Sequence, residues 1–563
     1  MIRYDRKLVK GFLHTKGTKI VNGDGEEILL NGYGHGTWTN PEGFMVGAPV
    51  EIVTEGGLFS KKMLPPRRFD RRRTFHQVVV ELCGTEYAKN FWPRWYKNQL
   101  AEADIQAMAE LGANCVRLPI NSVTLLEEEP GLVWNEAGFA MIDQVLEWCE
   151  IHKIYAILDL HGAPGGQSGT ACDGGLDNFP HLFIDDESRE RALALWEKLA
   201  MRYADRWIVG AYDLLNEPLS LPNLRPYVPN LAAFYDEAIA RIRKYDTKHM
   251  LTLEGSCFSR SNEIFDHNYD PYANNWCIHI HMYDASPEKK ELYPYLLKGM
   301  EYHVPVWIGE GGSTCESNEV FFGITADYGI GFCLWSWKMA MNEGIPIRGL
   351  GYTLPKNWEA VRSYCAGGPK PSYERSQSIF NELLENVKIE NCYCNKEFLK
   401  TSKRFAPLSL PAVGYDNLPG LGYSFSGHWE YGNLLNYRLE DHTKLVWDRR
   451  FEEPRPGFDA FDDENIQKEF DPLEMLLLEL GEGEFAVYTI YGISGSECLS
   501  LTGQGEDGSE VLVYCNDCLA GTITFSEKGS EDTVILPACD MARIKLLVKQ
   551  GVVTLKKINI CEE

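Results

Sequence analysis

The chain has 563 residues, a formal net charge of −26 and 44% hydrophobic residues. That length exceeds a single core and implies two or three domains of ordinary globular composition. The acidity excludes nucleic acid and anionic membrane surfaces as partners, because both need a basic face.

In chain order, the N-terminus MIRYDRKLVKGFLHTKGTKI is basic but lacks an apolar stretch of signal-peptide length. A cytoplasmic location is the expectation. No apolar run reaches the roughly 18 residues of a membrane span. KIVNGDGEEI carries the NG and DG signals of a hairpin turn, and EILLNGYG (27–34) reads as a first strand. An insertion rich in Pro, Gly and Arg occupies 39–95. Within it RRFDRRR (Arg67 to Arg73) reads as a solvated or salt-bridged loop, with a site for an anionic substrate group as the alternative. Seven further apolar runs follow, the first four of them after clear helical patterns: 114–120, 154–162, 208–218, 249–256, 276–284, 304–312 and 329–338.

Eight apolar strands with crossover helices predict a parallel sheet closed as a (β/α)₈ TIM barrel, an α/β fold, over 1–395. A doubly wound sheet is disfavoured because no acidic ribose partner follows the GYGHG glycines. Past 390 the pattern shifts to short alternating stretches such as EFAVYTIYGI and SEVLVYCND. They predict an all-β, sandwich-like domain over 396–563. Its expected role is to brace the barrel. A carbohydrate-binding role would use Trp429 or Tyr431. The 16 cysteines are scattered and read as free thiols of a reducing compartment. The pairs Cys392/Cys394 and Cys515/Cys518 lack the histidines and spacing of a zinc site, so no metal is expected.

Active sites of such barrels lie at the C-terminal ends of the strands. There the sequence places Arg117, His161, Asn216-Glu217, Glu254, His281 and Tyr283, Glu310, and Trp335 and Trp337 in turn. Each alone has a structural explanation. Two glutamates three strands apart on a rim of polar and aromatic groups are hard to explain by packing. Facing carboxyls, one protonated and one ionised, are the equipment of glycoside cleavage.

The set LLNEP, WIGEGG, LDLHGAPGGQSG, VRLPI, HMY and LWSWK resembles glycoside hydrolase family 5, retaining enzymes of the (β/α)₈ group. The resemblance covers about 25–390. It implies Glu217 as acid/base and Glu310 as nucleophile. It also implies that Arg117 and Tyr283 bond Glu310, that His281 lies near Glu217 and that Trp335 floors the sugar site, with His161 and Asn216 as further substrate contacts. Gly311 departs from the aromatic residue that often follows the family's nucleophile, which would open or reshape the site. His279 shares a face with His281, and the His-x-Tyr pattern selects His281. Glu254 is expected to support the site or touch substrate, and Trp337 to pack.

The LDLHGAPGGQSG run is more similar to the exo-β-1,3-glucanase branch than to the endo-cellulase branch. The expected activity is therefore double-displacement hydrolysis of short β-glucosides or oligosaccharides, exo-acting and without cofactor. The 39–95 insertion, with Trp92 and Trp95, would wall off one end of the cleft. A glycosylceramide- or aglycone-specific β-glycosidase is the alternative, and a non-catalytic carbohydrate-binding barrel a further one. Glycone, linkage and oligomeric state are not encoded legibly.

Overall fold

A computed structural model describes residues 5–48, 52–53, 62–63, 66–269, 274–283, 286–342, 347–401, 403–416, 437–438, 441, 443–450 and 472–562. Eight parallel strands close into a barrel. They are β1 (Gly32–Gly34), β2 (Cys115–Asn121), β3 (Tyr155–Gly162), β4 (Val209–Asp213), β5 (Met250–Glu254), β6 (Trp276–Tyr283), β7 (Val306–Gly312) and β8 (Phe332–Trp335), with β8 pairing β1. All eight expected strands form. β1 is shorter than the apolar run that announced it, because only 32–34 find ladder partners on both sides. β2, β3, β4, β5 and β7 are buried throughout. This is why they read as continuous apolar runs: one face fills the barrel and the other packs on helices.

The 39–95 segment corrects the sequence expectation. Much of it is helical: α1 (Arg72–Cys83) and α2 (Thr85–Gln99) pack on a later helix, α3 (Tyr373–Asn386). Trp92 and Trp95 do not wall the cleft. They are buried with Phe75, Phe91 and Phe380 in a separate aromatic core, and Trp95 donates its indole N–H to the Trp38 carbonyl at 3.0 Å.

Of the two readings of the arginine cluster, the salt-bridged one holds, with Arg68 paired to Asp70 and Arg73 to Glu129, but the cluster is not solvated. Arg71, Arg72 and Arg73 are buried at the start of α1. The Arg71 guanidinium donates to the Asp177 carbonyl at 2.8 Å and to Asn178 Oδ1, and Arg73 donates to the Gly174 carbonyl at 2.7 Å. The cluster therefore clamps the loop that follows β3.

The C-terminal part forms two antiparallel sheets. In one, Leu476–Leu480 pairs Val553–Glu562, which also pairs Glu497–Gly505. In the other, Cys539–Gln550 lies between Phe485–Ile493 and Ser509–Cys515. Burial alternates along Leu476–Leu480 and Ser509–Cys515, as the period-2 pattern predicts for a sheet with one packed face. This part grips the barrel through buried polar links. Arg404 donates to the Glu319 carbonyl at 2.9 Å, the Arg438 backbone N–H to Glu288 at 2.8 Å, and Tyr33 Oη to the Leu399 carbonyl at 2.8 Å. Trp429 and Tyr431 lie outside the described residues. Among the described residues no helix is long and apolar enough to cross a membrane.

Candidate active site

The strand ends bring Arg117, His161, Asn216, Glu217, His281, Tyr283, Glu310 and Trp335 together at one rim. Glu217 stands four residues beyond the end of β4 with φ +44°, a left-handed conformation that costs a non-glycine residue energy. Its neighbours fix it there. Its N–H donates to Glu254 Oε2 at 2.7 Å, its carbonyl accepts from Ser220 Oγ at 2.8 Å, and the preceding Asn216 carbonyl accepts from Gln167 Nε2 at 2.8 Å. Pro218 follows, so the backbone leaves the sheet at the carboxyl that it presents.

Arg117 is the hub of the site. Fully buried on β2, it donates through Nε to Asp213 at 2.8 Å, through Nη1 to Glu310 at 2.8 Å, and through Nη2 to Asn216 Oδ1 at 2.9 Å and Glu254 at 3.0 Å. Asp159 lies 3.1 Å from Nη2. Burial alone would lower the guanidinium's pKa, but these four carboxylates raise it well above its ordinary value. Arg117 also fixes the Asn216 amide. With Oδ1 taken, Nδ2 is turned elsewhere, and among the described residues it has no hydrogen-bond partner.

Glu310 ends β7 between two donors, Arg117 on Oε2 and Tyr283 Oη on Oε1 at 2.7 Å. Burial raises its pKa, and the Glu217 charge adds to that, while His281 and Arg117 pull it back. Glu217 has a different partner: His281 Nδ1 lies 2.8 Å from its Oε1. The same nitrogen is 3.8 Å from Glu310, and oxygens of the two glutamates lie within 4.8 Å of each other. Burial works against a charged His281, yet Glu254, Glu310 and Glu217 together raise its pKa well above the usual imidazole range.

His279, one pleat earlier on β6, turns instead to Asp213 at 3.0 Å and Glu254 at 3.2 Å. A register shift against β7 between Ile280 and His281 separates the two histidines' surroundings. Glu254 is wholly buried, and it accepts from Arg117, the Glu217 N–H and Ser259 Oγ. It supports the site from behind. Trp337 packs, with its indole N–H on Asp104 at 2.9 Å.

His161 and Trp335 face each other with parallel rings, centroids 5.3 Å apart. His161 Nδ1 engages Asp159 at 2.7 Å, and burial followed by the Arg117 charge pushes its pKa down to about 4, so the ring is neutral. The cavity of about 550 Å³ is lined by the two glutamates, His161, His281, Tyr283, Trp335 and the buried Met339, and on its exposed side by Phe44, Phe258, Arg260 and Arg348. Gly311 does not open it: a β-carbon there would collide with the Met282 carbonyl, so the close approach of β6 and β7 demands glycine.

Sequence reasoning missed Glu42, Arg348, Asp159 and Asp213, and the Cys172 thiol 3.7 Å from Glu217 Oε2. Asp159 was legible, two positions before His161 on the same face of β3. Glu42 and Arg348 sit in irregular segments with no such signal. Two donor sets are compact enough to surround a cation: Glu254 with His279 and His281, and Glu217 with His281 and Glu310. In both, Arg117 and His281 already balance the carboxylates.

Two carboxyls in one water-accessible cavity, one held by a cation and a phenol and the other by an imidazole, are equipped for nucleophilic attack and proton transfer. Residues 76–341 match the family model for Cellulase (glycosyl hydrolase family 5). Over those residues the barrel is similar to glycosyl hydrolase family 5. The chain is 32% identical over 283 residues to a β-xylosidase of Phanerodontia chrysosporium, covering 50% of this chain and 54% of that protein. It is 35% identical over 194 residues to a glucan 1,3-β-glucosidase of Candida oleophila, covering 33% and 43%. It thus spans about half the length of such curated relatives. The solved structure of an endogalactoceramidase aligns over 97% of this chain and 99% of its own, at 16% identity and a TM-score of 0.44.

Proposed function

We infer that this chain is a retaining β-glycosidase acting on short β-glucosides from their non-reducing end. The observation that carries retention is the proximity of the two carboxyls. Oxygens of Glu217 and Glu310 lie within 4.8 Å, matching the roughly 5–5.5 Å separation of retaining enzymes rather than the wider gap that admits a water. Glu310, ionised between Arg117 and Tyr283, is the nucleophile that attacks the anomeric carbon. Glu217, sharing a proton with His281, protonates the leaving oxygen and then serves as base for the incoming water. Asn216 Nδ2, aimed by Arg117, is the donor for the sugar 2-hydroxyl. Trp335 floors the ring, and neutral His161 offers Nε2 to a further hydroxyl. The glucan 1,3-β-glucosidase relatives favour a β-glucoside, and the β-xylosidase relative makes a β-xyloside the first competitor. The test is hydrolysis of aryl β-glucosides, xylosides, mannosides and galactosides, with the first-formed anomer read by NMR. Initial release of the inverted sugar, or full activity in Glu310→Gln, would refute the reading.

A second reading concerns the leaving group. Phe44 and Phe258, which line the cavity, stand 45% and 43% exposed. Apolar rims suit an aryl or lipid aglycone better than a second sugar. Comparing kcat/KM for a disaccharide and for an alkyl glycoside of the same glycone decides between them.

A further inference from the structure

Cys172 is the neighbour of Glu217 that a two-carboxyl mechanism leaves without a task. It lies in the loop after β3. Its thiol donates to Glu217 Oε2 at 3.7 Å, while His281 Nδ1 sits on Oε1. Burial, and then the charges of Glu217, Glu42 and Asp173, raise the thiol's pKa well above its ordinary value, so it keeps its proton and can donate it. Behind the thiol runs a chain of side chains. Thr170 Oγ1 lies 2.9 Å from Cys172 Sγ and 3.0 Å from Ser168 Oγ. Ser168 Oγ donates to Asp173 Oδ2 at 2.6 Å and accepts the Thr170 N–H at 2.9 Å. Asp173 is buried and also accepts the Ser168 and Gly175 N–H groups, both at 2.8 Å. Arg71 of the buried arginine clamp stands 3.9 Å from it. The same loop is stitched to the turn that carries Glu217: the Leu219 N–H donates to the Gln167 carbonyl and the Ser220 N–H to the Ser168 carbonyl, each at 2.9 Å. A thiol that only filled space would need no such chain behind it.

The chain has two settings. Ser168 gives its proton to Asp173, so toward the Thr170 hydroxyl its Oγ can only accept. With Glu217 ionised, the Cys172 S–H points at Oε2, and Sγ accepts the Thr170 hydroxyl. With a proton on Oε2, that O–H can point at Sγ, the S–H turns to Thr170 Oγ1, and the Thr170 hydroxyl turns to Ser168 Oγ. Only hydrogens rotate, no bond forms or breaks within the chain, and every donor has an acceptor in both settings. When Glu217 passes its proton to a leaving oxygen, the S–H swings back onto Oε2 as that atom becomes negative, where the charge strengthens the bond. The same setting then holds the carboxylate while it waits to act as base.

We propose that Cys172, backed by Thr170 and Ser168, is a positioning residue that holds Glu217 in both of its protonation states. This rests on the glycosidase reading above and adds to it the device that keeps one carboxyl fit to serve as acid and then as base.

The experiment compares wild type, Cys172→Val, Cys172→Ser and Thr170→Val on alkyl and dinitrophenyl β-glucosides and β-xylosides. The alkyl leaving groups need a proton and the dinitrophenyl ones do not. Thermal midpoints confirm that the variants fold. Cys172→Val should lose about 10-fold in kcat/KM on the alkyl glycoside and under about 3-fold on the dinitrophenyl one, the size expected for one hydrogen bond to an oxygen that gains charge. Thr170→Val, which leaves the thiol in place, should lose less but with the same dependence on leaving group. Cys172→Ser keeps a donor and an acceptor and should stay within about 3-fold of wild type on both. The alkaline limb of the kcat/KM profile should move to higher pH in Cys172→Val, because the ionised carboxylate has lost a donor, and should not do so in Cys172→Ser. Equal losses on the two leaving groups, or no loss in Cys172→Val, overturn the role of Cys172 and leave the glycosidase reading standing. A folded wild type that cleaves no member of the panel overturns both.

Discussion

Arg117 Nη1 lies 2.8 Å from Glu310 Oε2, and no solvent reaches the guanidinium. The same group holds Asn216 and three further carboxylates, so its charge is shared by catalysis and by the fold. Arg117→Met should abolish turnover and also cost about 3–5 kcal/mol, because Asp159, Asp213 and Glu254 would remain buried with a shared cation gone. Arg117→Lys, which keeps the charge but not the fork, should retain more stability than activity. Urea midpoints measured beside kcat separate the two effects.

The unlike partners of Glu217 and Glu310 predict unlike variants. Glu217→Ala should lose about 10²- to 10⁴-fold in kcat on alkyl glycosides, and much less on aryl glycosides whose leaving groups need no proton. Added azide should then give a β-glycosyl azide by attacking the intermediate in place of water. Glu310→Ala should be inactive on both, and azide should give the α-product. The reverse pattern would exchange the two assignments.

The barrel was legible because its strands are buried on both faces and its helices on one, two periods that the sequence keeps apart. The rim was legible because His161, Glu217, His281 and Glu310 end apolar runs or stand just beyond them. What could not be read is what depends on long-range closure. Asp213 becomes intelligible only once Arg117 is seen beside it, and the burial of RRFDRRR could not be read because nothing local shows that the loop after β3 folds back over it. Trp92 and Trp95 were misplaced for a related reason: an aromatic stripe on a helix does not say whether a core or a cleft lies opposite.

The buried arginine clamp makes a graded prediction. Arg71→Ala removes donors from the Asp177 and Gly175 carbonyls and from Asn178, and should cost about 2–4 kcal/mol. Arg68→Ala, a pair with Asp70 nearer the surface, should cost under about 1 kcal/mol. Limited proteolysis should find new cleavage within 163–178 in the first variant and none in the second.

Gly311 gives a steric prediction. Gly311→Ala should destabilise by about 1–3 kcal/mol, since the new methyl meets the Met282 carbonyl across the β6–β7 ladder. A larger aromatic there should fail to fold rather than reshape the cavity. Thermal midpoints check this, and an unchanged midpoint in Gly311→Ala would mean that the strands can part.

The histidines set how stability varies with pH. His35 and His161 are each held near about 4, His35 by burial and then Lys338, His161 by burial and then Arg117. Their unfolded counterparts take a proton near 6.5. Between pH 6.5 and 4 the unfolded chain therefore binds more protons at these two sites, and their contribution to the free energy of unfolding falls as the solution is acidified. Each site contributes about 2–4 kcal/mol across that window. His281 has the opposite sign. Its raised value gives stability that is complete below pH 6.5 and is lost as pH rises through the folded-state value. Urea titrations from pH 4 to 9 should thus show the wild type and His35→Gln differing by about one proton's worth of slope on the acid side and not on the alkaline side. Parallel curves for the two proteins from pH 6.5 to 4 would mean that His35 titrates alike in the folded and unfolded chains.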